Sequence, residues 1–240
     1  MEICRYDADT FWELTGPTAG YLSVRILHIM FRTLSFAACM GCLMFTFTNP
    51  VAAQEELAIG DKAPLMDYKM TNIDGQSWSL LDLSGKSGIL VVFTCNTCPF
   101  VVGREGKSEG WENRYNEVIN YARKRDVATV LVNSNEAKRK GDDSLEEMKK
   151  LALASGYLAP YLVDVGHKLA DGFGARTTPH VYLFDGEFRL VYRGAIDDNV
   201  NAADEVTERY LENAITRMVN GKKAKPAVTK AVGCSIKRVR

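Results

Sequence analysis

From residue 57 onward the chain alternates between short apolar runs and segments with helical spacing. Ile89-Leu90-Val91-Val92-Phe93 is five consecutive apolar residues, the pattern of a strand buried on both faces. Trp111, Tyr115, Val118, Ile119 and Ala122 then recur at helical spacing, and 128–132 reads as the next strand. Ser144 with Glu147 three residues on predicts a capping box opening a helix with Leu145, Met148, Leu151 and Ala152 on its apolar side and a stop near Gly156. A short helix is expected over 167–173. The last helix draws its apolar face from Val206, Tyr210, Ala214, Ile215 and Met218 and ends at Gly221.

Two hairpins frame this alternation. Asp74-Gly75 divides 70–73 from 76–78, and Asp185-Gly186 divides 181–184 from 190–192. Parallel strands with antiparallel additions imply an α/β, three-layer domain: a central mixed sheet flanked by helices, with an N-terminal β-hairpin extension. No repeat or low-complexity segment interrupts 54–240, which reads as one domain followed by a C-terminal tail after Gly221.

The front of the chain differs. Met30-Phe31-Arg32 precedes an apolar, largely uncharged stretch over 34–48, then Asn49-Pro50 and Val51-Ala52-Ala53. A basic start, a short apolar core and small residues at the end are the order of a secretory signal, and the core is short for a membrane span. Glu2, Asp7, Asp9 and Glu13 do not belong in such a signal. The expectation is therefore an extension and signal over 1–53, translation from Met30, cleavage after Ala53, and export to the periplasm without stable membrane association afterwards. Cys39 and Cys42 fall inside the signal core as small apolar residues; a lipoprotein reading at Cys39 has only a very short apolar stretch ahead of it.

Composition adds little, since 46% hydrophobic and 25% charged residues are ordinary for a globular protein of 240 residues. Of 30 basic and 30 acidic side chains, three and four respectively precede Gln54, leaving 54–240 at +1. That balance points to neither nucleic acid nor an electrostatic membrane surface.

The chemistry lies in Cys95-Asn96-Thr97-Cys98, placed directly after the central strand. A strand running into a helix puts Cys95 at the helix start, where free N–H groups and the helix dipole favour thiolate, the reactive species. Cys95 is thus the expected attacking thiolate, and Cys98, one turn on and more buried, the resolving thiol. Pro99 suits the first helical turn because its missing N–H has no partner to lose there. A zinc site would need two further spaced ligands, whereas the chain holds only His28, His167 and His180 beside Cys234. A structural disulfide across so small a ring would constrain little chain. After cleavage three cysteines would remain, so Cys234 is an odd thiol, either inert or a third redox group.

The strand, C-x-x-C, helix and later Thr178-Pro179 before 181–184 resemble the thioredoxin superfamily. Phe93-Thr94-Cys95-Asn96-Thr97-Cys98-Pro99-Phe100-Val101, Val132-Asn133-Ser134-Asn135, Tyr192-Arg193-Gly194-Ala195-Ile196-Asp197-Asp198-Asn199 and Gly233-Cys234-Ser235-Ile236-Lys237 are similar to a bacterial group filed as redoxin or alkyl hydroperoxide reductase/thiol-specific antioxidant. The resemblance implies a thioredoxin-like fold, a cis Pro179 whose loop faces the cysteines, and Thr178 positioned to pair with an extended substrate. It implies a thiol–disulfide oxidoreductase with an antioxidant role, acting on protein or small-molecule disulfides and dithiols and recycled by a redox partner, with catalytic Cys95, Cys98, Thr178, Pro179 and Cys234 and no cofactor or metal. Departures are Thr94 and Ile89, where thioredoxins carry Trp and a buried carboxylate.

Thiol peroxidase is the alternative, although the Pro and Thr of a peroxiredoxin-like site are replaced by Gly88 and Val92 before Cys95, and by Val91 and Cys95 before Cys98. Arg176 or Arg193 could stabilise a thiolate. A less favoured alternative, a periplasmic copper metallochaperone, would add His180 to the two cysteines as a soft-metal site.

Overall fold

A computed structural model describes residues 55–239; the expected signal, its cleavage point, the Met30 start and Cys39 and Cys42 lie outside the described residues. A seven-stranded sheet forms the centre: β1 (Met70–Asn72), β2 (Ser77–Trp78), β3 (Gly88–Thr94), β4 (Val127–Asn133), β5 (Tyr161–Val163), β7 (His180–Asp185) and β8 (Leu190–Gly194), with β6 (Thr177–Thr178) outside it. The order is β2-β1-β5-β4-β3-β7-β8. The pairs β3–β4 and β4–β5 are parallel and the rest antiparallel, so the sheet is mixed as expected. The predicted N-terminal hairpin exists and joins the main sheet at its edge, with Thr71 opposite Val163.

Side-chain alternation along β3 divides the core. Leu90 and Val92 pack with α3 (Tyr115–Arg123), α4 (Leu145–Ala154) and α6 (Tyr210–Val219), whereas Ile89, Val91 and Phe93 face α1 (Leu80–Leu83) and α5 (Lys168–Phe173). Phe93 meets Phe173 and Tyr182 edge-on at 5.6 and 5.7 Å, contacts worth about 1 kcal/mol each beyond the area they bury. Both faces of the sheet are thereby covered, which is why β3 reads as a continuous apolar run.

Local differences from the expected pattern have identifiable causes. Ser144 caps α4 through the Glu147 N–H, but the Glu147 carboxylate turns to Lys150, so the box is half made. The complete box is at Ser79 and Asp82, opening α1. Val206 falls outside α6 because Asp198 accepts from the Thr207 N–H at 3.1 Å and from its hydroxyl, holding this stretch extended. The second hairpin turns around Asp185 rather than on Gly186: its carboxylate accepts from the Glu187 and Arg189 N–H groups, and the left-handed residue is Phe188.

After α6 the tail runs back across the domain. Arg193 N–H donates to Ala227 and Thr229 N–H to Arg193, covering the edge of β8. The Thr229 hydroxyl bonds the Tyr192 hydroxyl and accepts the Ala195 N–H. Beyond it β9 (Cys234–Ser235) pairs with β6, Thr178 opposite Cys234, and the Lys237 N–H donates to Asn135 at 2.8 Å.

Candidate active site

β3 delivers the cysteine pair to the end of the sheet, and the helix that follows is the four-residue α2 (Pro99–Val102). Pro99 is its first residue, as expected, which makes Cys98 the N-cap instead of a residue one turn into the helix. The expected difference in burial is also absent, since Cys95 and Cys98 are 2% and 3% exposed. Both are free thiols, and so is the half-buried Cys234.

Thr178 lies between them. Its hydroxyl is 3.0 Å from Cys95 Sγ, and its carbonyl accepts from Cys98 Sγ at 3.0 Å. The Thr178–Pro179 peptide is cis, as the resemblance implied. The Cys234 N–H points at Cys98 Sγ from 3.4 Å. Cys95, Cys98, Thr178 and Cys234 therefore form one cluster beside Pro179.

The neighbours of the three thiols shift them in opposite directions. Donation from the Cys95 thiol, then from the Cys234 thiol and N–H and the Phe100 N–H, lowers Cys98 to about 5 against the cost of burial. Cys95 is pushed up by its role as donor to Cys98 and by burial. Burial and the neighbouring Cys98 raise Cys234 to about 11. Of the three, Cys98 is the thiol whose ionisation its neighbours favour most; with its proton in place it donates to the Thr178 carbonyl. The three titrate as a coupled set.

A buried network that sequence reasoning missed holds the loop. Asp143 is fully buried and accepts the Asn96 N–H at 2.9 Å, Asn133 Nδ2 at 2.7 Å and Asn135 Nδ2 at 3.0 Å. The Tyr161 hydroxyl donates to Asn96 Oδ1 and accepts from Asn133. Val132-Asn133-Ser134-Asn135 is thereby explained: its asparagines tie the C-x-x-C loop, Asp143 and Lys237 of the tail together. The segment around Asp197 is structural in the same way, because Asp197 accepts from Trp111 Nε1 at 2.7 Å and pairs with buried Arg114 at 2.6 Å.

Other candidates lie elsewhere. His180 follows Pro179 but packs against Tyr182, at 4.6 Å between ring centroids, and burial lowers it to about 4. It lines a cleft of about 470 Å³ with Glu56, Arg176 and Arg193, which does not include the cysteines. Arg193 is ion-paired to Glu56, and Arg176 is 3.6 Å from the same carboxylate. No group of three or more metal-ligating side chains occurs among the described residues. A groove of about 610 Å³, lined by Asn96, Thr97, Lys140, Asp142 and Glu147 among others, adjoins the outer side of the C-x-x-C loop.

Sheet order, flanking helices and a C-x-x-C loop facing a cis-proline define a thioredoxin-like protein. The AhpC/TSA family model matches residues 59–193, and the chain belongs to that family. It is similar to an uncharacterized conserved protein from Geobacillus kaustophilus, 31% identical over 76% of this chain and 93% of that one, with a TM-score of 0.67. A hypothetical protein from Sinorhizobium meliloti 1021 is 28% identical, covering 77% and 97%, with a TM-score of 0.68. A putative thiol:disulfide interchange protein DsbE from Chlorobium tepidum shares the fold at 17% identity, covering 68% and 99%, with a TM-score of 0.51. No curated protein matches the chain.

Proposed function

We propose that this chain is a thiol–disulfide oxidoreductase that cycles Cys95 and Cys98 between dithiol and disulfide. The observation that carries the reading is the pair itself: two free thiols on one short loop, both hydrogen-bonded to Thr178 at 3.0 Å. Lowering the Cys98 thiol supplies the nucleophile that disulfide exchange requires near neutral pH. Substrates are disulfides or dithiols of proteins or small molecules, with a separate partner restoring the pair. Export to the periplasm, expected from 30–53, suits such chemistry.

Peroxidase activity is disfavoured by Gly88 and Val92, since no hydroxyl or proline crowds Cys95 from those positions. The copper-delivery reading loses its imidazole, because His180 packs with Tyr182 in the cluster on the other face of the sheet from Cys95 and Cys98.

The test is closure of the pair by oxidised glutathione, followed by peptide mapping, together with insulin reduction by Cys95→Ser and Cys98→Ser. We expect a Cys95–Cys98 disulfide in the wild type and turnover lost or reduced at least tenfold in each variant. Wild-type turnover in both variants, or a pair that never closes, would overturn the assignment.

A further inference from the structure

In the folded protein the edge beside Pro179 that an extended substrate strand would use is already taken. β9 pairs antiparallel with β6, Thr178 facing Cys234 and Thr177 facing Ser235, and the Ile236 N–H donates to the Arg176 carbonyl at 2.9 Å. The tail is anchored on both sides of this ladder, at Thr229 and at Lys237. Arg238 adds bonds to Asp171 and to the Ala175 carbonyl. Cys234 is thereby held against Thr178, the residue whose hydroxyl meets Cys95 and whose carbonyl meets Cys98. Of the pair, the sulfur that the Cys234 backbone meets is that of Cys98, which accepts from the Cys234 N–H at 3.4 Å.

Exposure has a matching order. Cys95 and Cys98 are at most 3% exposed, whereas Cys234 is half-buried. A bulky disulfide cannot reach either buried sulfur while β9 is in place, but it can reach Cys234. We infer that Cys234 is the exchange port of this protein, relaying disulfides between external substrates and the buried pair through a Cys98–Cys234 disulfide. This rests on the reading of Cys95 and Cys98 as an exchanging pair.

The steps balance. Cys234 Sγ attacks an external disulfide R–S–S–R′, its proton passing to the departing sulfur, which forms Cys234–S–S–R and releases R′SH. Cys98 Sγ then attacks Cys234 Sγ, breaking the bond to R and releasing RS⁻. The Cys95 proton passes to RS⁻ as Cys95 Sγ attacks Cys98 Sγ, which frees Cys234 as thiolate. One external disulfide becomes two thiols, and the protein dithiol becomes the Cys95–Cys98 disulfide. Oxidation of substrates runs the same steps backwards.

The experiment challenges the reduced full chain with one equivalent of oxidised glutathione, quenches with acid, alkylates and maps the peptides over time. In Cys95→Ser the relay should stop at a Cys98–Cys234 disulfide. In Cys234→Ser, a conservative change at a partly exposed position, closure of Cys95–Cys98 should slow at least tenfold while thermal unfolding stays at the wild-type temperature. Cys234 remaining alkylatable in Cys95→Ser, or closure at the wild-type rate in Cys234→Ser, overturns the relay and leaves the exchanging pair intact. Failure of the wild-type pair to close overturns both.

Discussion

Gly233 lies against the Thr178 carbonyl so closely that a Cβ on Gly233 would come within 2.2 Å of its oxygen. This contact explains the glycine before Cys234: only a residue without a side chain lets the tail backbone lie on the Thr178–Pro179 segment. A methyl group there meets backbone, which cannot rotate away.

Gly233→Ala should therefore lift β9, and Cys234 with it, from Thr178 while keeping all three cysteines in the chain. We expect Cys98 to be alkylated by iodoacetamide several-fold faster than in the wild type, and protection of the Cys234 and Ile236 amides from hydrogen exchange to fall. Unchanged alkylation and exchange would show that the tail does not screen the pair.

Much of this site was legible before its geometry was known. Cys95, Cys98 and Thr178-Pro179 announce themselves by spacing, and β3 by its unbroken apolar run, because these signals are local or depend on burial alone. β6 and β9 are two residues each and pair across 56 positions, so no window of sequence contains their partnership. The contacts around the pair were hidden for the same reason. Cys98 is lowered by Cys95, by Cys234 and by the Phe100 N–H, while Cys95 is raised by Cys98, by burial and by Asp143 from the loop preceding α4. Asp143 itself carries no motif; only Asn133 and Asn135, within a motif already noted, pointed towards it.

Alkylation of Cys98 should follow its lowered value, rising half-maximally near pH 5 instead of near the ordinary thiol value of 9.0. Because the folded value lies below the unfolded one, the unfolded chain binds more protons between these limits, and reduced-state stability rises with pH across that window. The contribution is complete above about pH 9 and lost as pH falls through about 5. Cys95 and Cys234 are shifted upward and act in the opposite sense above pH 9. Urea unfolding of the reduced protein at several pH values, compared with Cys98→Ser, checks the slope, which the variant should lose.

Asp143→Ala should be among the most destabilising single changes. It strands the Asn96 N–H and two asparagine amides in a fully buried site, at about 1–3 kcal/mol for each donor left without a partner. We expect a loss of about 3 kcal/mol or more in urea denaturation, with faster alkylation of the loosened C-x-x-C loop. A loss below about 1 kcal/mol would mean that the network does not position the loop.

Stabilising the Cys98 thiolate stabilises the reduced form of the pair, because the disulfide has no thiolate to receive those hydrogen bonds. The potential of the Cys95–Cys98 couple should then be less negative than thioredoxin's, about −270 mV, placing the protein towards the oxidising end of its class. Cys234→Ala isolates one contribution, since it removes the thiol donor and leaves the backbone N–H at 3.4 Å. One hydrogen bond of about 1 kcal/mol corresponds to roughly 20 mV for a two-electron couple, so the potential should fall by about that much. Equilibration with glutathione redox buffers measures both values. A wild-type potential at or below thioredoxin's would mean that interactions stabilising the disulfide outweigh those at Cys98, and the protein would then act as a reductant.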